Sequence, residues 1–104
     1  MMKMVFTFDK DLAAQHGYSL EKIYDYIKGQ FAEKELPCIS DDDMLVFSGA
    51  GTKNDLSRML IMMGRFEKKD WFMDTAKSWH FTTDERRGWE DVLSEIKKEK
   101  VVVI

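Results

Sequence analysis

Five groups of residues have the types and spacing to do chemistry, and each has a plainer structural alternative. The first is Ser48-Gly49-Ala50-Gly51-Thr52-Lys53. A glycine loop between a strand and a helix can turn successive backbone N–H groups toward a phosphate, and the helix dipole adds to that attraction. Lys53 would contribute a cation, so Gly49, Gly51, Thr52 and Lys53 form the candidate ligand-binding set. The pattern is only a fragment. It lacks the spacing of GxxxxGK[ST], and no third glycine completes GxGxxG. Asp55, in the first turn of the following helix, would repel a phosphate. The plainer alternative, which we favour, is a turn whose glycines supply positive φ.

The second group is Asp41-Asp42-Asp43. Three carboxylates suit Mg²⁺ or Ca²⁺, but neighbours along an extended segment alternate in direction and do not converge. A solvated loop is expected. The third is Cys38 with His16 or His80 and a carboxylate, the parts of a nucleophilic triad. No G-x-S-x-G elbow is present, and a lone cysteine usually acts as a small hydrophobe. The fourth is Lys53, Arg58, Arg65, Lys68 and Lys69 beside Trp71, Phe72 and Trp79. Cations on one helix face with aromatics nearby could follow a nucleic-acid strand, but Glu67, Asp70 and Asp74 interrupt the field.

The fifth is a surplus of methionine and tryptophan, eight and three in the chain. Methionine adapts to irregular surfaces and tryptophan anchors interfaces. Met59, Met62, Met63, Phe66 and Trp71 are therefore the candidate interface set, against the alternative that they simply fill a core.

Composition narrows the classes. A chain of 104 residues argues for a single globular domain, residues 1–104. With 44% apolar and 34% charged residues it is neither a disordered tail nor a membrane protein. The N-terminus turns acidic before an apolar leader develops, which predicts a cytoplasmic location. One cysteine leaves no internal disulfide, and the two histidines are too isolated for a zinc cage. Residues 1–52 carry five Lys and nine Asp/Glu, and residues 53–104 carry eleven Lys/Arg and ten Asp/Glu. The halves are thus −4 and +1, a balance that disfavours a general nucleic-acid binder.

The elements that must position these groups follow from periodicity. Residues 3–8 alternate as a strand, with Met4, Phe6 and Phe8 on one face. Ser19 caps a helix over 20–34 with Leu20, Ile23, Tyr24, Ile27 and Phe31 as its stripe. Gly29 within it reads as a place of close packing, and Pro37 as its stop. Residues 44–48 read as a buried strand, making a βαβ crossover with parallel pairing. A helix follows, with Leu56, Met59, Leu60, Met63 and Phe66 on an unusually broad stripe. Residues 70–81 read as a helix in preference to a strand. Thr82 and Glu85 form a capping box for a last helix to about residue 99, with Trp89, Val92, Leu93 and Ile96 on its apolar face. Residues 101–104 (VVVI) are β-prone and are expected to pair within the chain or with another copy.

The expected fold class is α/β, with α+β as the alternative: a small three-stranded, partly parallel sheet with helices mainly on one face. No catalytic set is complete, and no cofactor or metal is expected. The expected function is a small intracellular binding or regulatory module acting by protein–protein contact, with a homodimer as one form of it. The alternative is a phosphate- or nucleotide-binding domain built on the glycine loop.

Overall fold

The computed structural model describes residues 1–100. Lys3–Phe8 (β1) is a strand with Met4, Phe6 and Phe8 buried on one face, and Val5 and Thr7 partly covered on the other. A short helix follows that alternation alone did not predict, Lys10–Gln15 (α1). The Asp9 side chain caps it, accepting from the N–H groups of Asp11 and Leu12. Ser19 then caps Leu20–Glu33 (α2), accepting from Lys22 N–H at 3.2 Å. Ile23, Tyr24, Ile27 and Phe31 are its buried stripe.

The stop of α2 comes before Pro37. Glu35 adopts φ +58°, and the N–H groups of Glu35 and Leu36 donate to the carbonyls of Ala32 and Phe31. This is a Schellman closure, with Leu36 and Phe31 both buried beside it. The left-handed position normally favours glycine. Glu35→Gly is therefore expected to raise stability by about 0.5–1 kcal/mol, read as a higher urea midpoint. Its exposed pairing with Arg58 at 3.5 Å offsets little of that gain. Gly29 is not a close-packing site: a Cβ built there meets nothing within 4 Å.

Cys38–Asp41 (β2) and Leu45–Ser48 (β3) form a hairpin. Strand β2 was not expected, and its presence overturns the expected sheet. With one extra strand between α2 and β3, the direction of β3 reverses. It pairs with β1 antiparallel, Met4 opposite Phe47 and Val5 opposite Val46. β1 and β2 still run the same way, since both are antiparallel to β3, but they are not neighbours. Asp55–Glu67 (α3) and Asp70–Thr75 (α4) lead into Ala76–Thr82 (β4), which lies antiparallel on the other side of β1. Glu90–Asp91 (β5) adds a short edge. The sheet has five strands in the order β2-β3-β1-β4-β5, with every pairing antiparallel, in place of three partly parallel strands. Up to β4 this is the split-βαβ connectivity, which many unrelated functions share. The broad expectation of mixed helix and sheet holds.

The expected helix over 70–81 is half right. Thr75 closes α4 by donating its hydroxyl to the Trp71 carbonyl at 2.7 Å, and Ala76 is already extended. Helix and strand abut with no loop between them. The last helix is shorter than expected because Gly88 (φ +93°) breaks the chain after a single 3₁₀ turn, Glu85–Arg87. Thr82 does not form the capping box; its hydroxyl donates to the Gly88 carbonyl. Val92–Lys100 (α5) carries the buried Val92, Leu93 and Ile96, whereas Trp89 is exposed. The expectation for residues 101–104 lies outside the described residues.

One continuous core joins all the helices to a single face of the sheet. It holds Met4, Phe6, Leu45, Phe47, Trp79 and Phe81 from the strands, and Ile27, Phe31, Met59, Met62, Phe66 and Phe72 from the helices. On the opposite face Thr7, Ser78 and His80 stay partly exposed, whereas Val46, Ser48 and Thr82 are buried. A smallest dimension of 22 Å matches one sheet and one helical layer. Phe6 is the hub of the core. Its ring lies 5.6–6.3 Å from those of Phe8, Phe31, Phe47, Phe66, Phe72 and Trp79.

Candidate interaction surface

The glycine loop is folded around an anion that the chain supplies itself. Asp55, the first residue of α3, turns back into the loop. Its carboxylate accepts from the N–H groups of Ala50 (3.0 Å), Gly51 (2.9 Å) and Thr52 (3.2 Å), and from the Thr52 hydroxyl (3.1 Å). Burial alone would raise its pKa. The donors from Ala50, Gly51 and Thr52 outweigh that and hold the carboxyl below its ordinary range. Gly49 must be glycine for this to fit, since a Cβ there would sit 2.5 Å from Asp55 Oδ2 and 2.9 Å from Cγ. Gly51 has φ +87°. Thus Gly49, Gly51 and Thr52 are brought together, with their donors satisfied internally. Lys53 is exposed and joins no ion pair among the described residues.

The other polar groups do not converge. Cys38 lies on β2 and His80 on β4, with two strands between them. Cys38 is exposed, and partial burial of its thiol pushes the pKa up, away from a reactive thiolate. Asp41 is paired with Lys28 at 3.0 Å. Among the described residues no cluster of three or more His, Cys, Asp or Glu side chains could hold a metal ion. The two arginines of the basic group are also engaged. Arg58 donates to the Lys34 carbonyl at 3.2 Å and Arg65 to the Gln30 side chain at 3.1 Å, stitching α3 to α2. Phe72 and Trp79 are fully buried and offer no face to a base.

The expected methionine interface is corrected. Met59, Met62 and Phe66 have no exposed surface and belong to the core, because α3 turns that side of its broad stripe onto the sheet. Met63 and Trp71 remain partly exposed. The outward apolar residues of α3 are Leu56, Leu60 and Ile61.

Trp71 also belongs to an exposed aromatic cluster. Tyr18 from the turn before α2, Tyr26 from the middle of α2 and Trp71 from α4 form an open aromatic cup. Tyr26 meets Trp71 edge-on with centroids 5.3 Å apart, and Tyr18 lies 6.2 Å from Trp71 on the other side. Ile23 forms a buried floor, Lys22 completes the wall, and the enclosed space is about 210 Å³. The Lys69 ammonium sits over the Tyr26 ring, 5.6 Å from its centroid.

No family model, curated protein or solved structure matches this chain. The site therefore has to be judged on its own chemistry. Two rings of the cup, Tyr18 and Tyr26, come from just before and within α2, whereas Trp71 comes from α4, far along the chain. Of the three rings, only Trp71 belongs to the expected interface set. A signal for the others existed: Tyr18, Lys22 and Tyr26 are spaced by four, which marks a second face of α2 opposite its core stripe. No helix among the described residues is long and apolar enough to cross a membrane.

Proposed function

We propose that this domain is a binding module that acts by protein–protein contact, with the aromatic cup of Tyr18, Tyr26 and Trp71 as its contact point. The observation that supports this reading is three aromatic rings in contact around an apolar hollow at the margin of the core, each of them still partly exposed. Tyrosine and tryptophan bury large rigid areas at little entropic cost, and so dominate contact energies. The cup is smaller than the ~300–1,000 Å³ of typical small-molecule sites and matches a single partner side chain. The phosphate-binding alternative is weakened by the carboxylate of Asp55, which occupies the donors that a phosphate would need.

A peptide-display selection on the whole domain checks the reading. The expected result is a set of binders that share one large apolar residue and lose at least about tenfold in affinity to Trp71→Ala, the loss typical of an interface anchor. That variant should keep its far-UV spectrum and unfold cooperatively. Binders indifferent to both Trp71→Ala and Tyr26→Ala would overturn it.

A further inference from the structure

The wall of the cup is apolar, but its charge is of one sign. Lys22 is the one charged residue that lines it. A second cation, Lys69, stands above Tyr26. Lys3, Lys28, Arg58 and Arg65 each lie within 4 Å of a carboxylate, whereas neither Lys22 nor Lys69 is in an ion pair among the described residues. An apolar hollow with two cations beside it, neither in an ion pair among the described residues, sets the chemistry of its occupant. A cationic side chain is disfavoured even though aromatic rings attract cations, because Lys22 repels it and Lys69 already covers the face of Tyr26. A neutral apolar residue gains the burial and leaves both lysines unpaired. An apolar residue flanked by carboxylates gains both.

We infer that the cup recognises an acidic segment of a partner protein, in which one large apolar side chain enters between Tyr18, Tyr26 and Trp71 while neighbouring Asp or Glu residues meet Lys22 and Lys69. The inference rests on the contact reading above and adds the partner's charge to it. The charges act at the exposed rim, so they govern selectivity and rate of encounter more than total affinity. They are screened by salt.

Four capped pentapeptides titrated into the ¹⁵N-labelled full chain separate the two claims. Glu-Glu-Phe-Glu-Glu should shift the Trp71 indole and the amides around Tyr18 and Tyr26, saturably. It should bind about tenfold tighter at low salt than Lys-Lys-Phe-Lys-Lys, with Ser-Ser-Phe-Ser-Ser between them. Glu-Glu-Gly-Glu-Glu should leave the indole unmoved. Lys22→Glu with Lys69→Glu should invert the order of the charged pair. Equal binding of the three phenylalanine peptides overturns the acidic partner and leaves the contact reading standing. No shift at the cup with any phenylalanine peptide at millimolar concentration overturns both. Tighter binding of adenosine monophosphate than of every peptide, on the same residues, also overturns both and marks a small-ligand site.

Discussion

Replacing Phe6 by alanine is expected to cost about 3–5 kcal/mol, the usual range for emptying a fully buried aromatic position. Six other rings surround Phe6, and the central strand β1 carries it. Those neighbours come from three strands, α2, α3 and α4, which limits how far any one of them can move to fill the space. A domain of this size is stable by about 5–15 kcal/mol in total, so a single truncation removes a large share. Urea unfolding should show a much lower midpoint, or no cooperative transition at all. Phe6→Leu, which keeps most of the volume, should cost about 1–1.5 kcal/mol. Equal losses in the two variants would mean that packing around this ring is not what holds the layers together.

The second large effect is expected at the glycine loop. Removing the Asp55 side chain leaves the N–H groups of Ala50, Gly51 and Thr52 without their shared acceptor. Asp55→Ala should lower the melting temperature by about 5–10 °C, a typical response of a domain near 100 residues to losing a charged acceptor. Gly49→Ala should act through the same contact, since its new methyl group would displace the carboxylate. The double variant should therefore lose much less than the sum of the two single changes. The pH dependence follows from the direction of the shift. Asp55 has a lower pKa folded than unfolded, so its stabilisation is present above the unfolded value, about 3.9. That stabilisation disappears as pH falls through the lower folded value. Asp55→Asn, which lacks the ionised acceptor, should lower stability at neutral pH and flatten this acid limb, so that the two proteins converge as pH falls. An acid limb identical in the two proteins would show that the carboxylate has no such role.

These expectations separate what the residues declare locally from what only the assembled chain decides. The β1 alternation, the Ser19 cap, the α2 stripe and the buried character of β3 follow from spacing alone. The sheet did not, because one short strand was hidden. Cys38–Asp41 is an edge strand with only Ile39 as a large apolar residue, followed by two further aspartates, so it carries the signature of a loop. One strand omitted reverses every later direction, which is why a small omission changed parallel pairing into antiparallel. Over 70–81 both periods were present because both structures are present: Phe72 and Thr75 are buried at helical spacing, and Trp79 and Phe81 at strand spacing.

The candidate sites divide along the same line. Asp55 was legible as hostile to phosphate, but not as the group that fills the loop, because that depends on how α3 meets β3. The methionines were legible as apolar, but not as inward-facing. A stripe as broad as that of α3 has two sides, and only the sheet decides which is covered. The aromatic cup needed the outer face of α2 to meet α4, and no single window contains both.

The direct junction of α4 with β4 has a mechanical consequence for the cup. Trp71 is followed at once by Phe72, which is locked in the core, and four residues later the chain is already bonded into the sheet opposite β1. No hinge separates the indole from that anchor. On the proposed reading, an arriving side chain would meet a Trp71 backbone already fixed, and that part of the ordering cost would have been met when the chain folded.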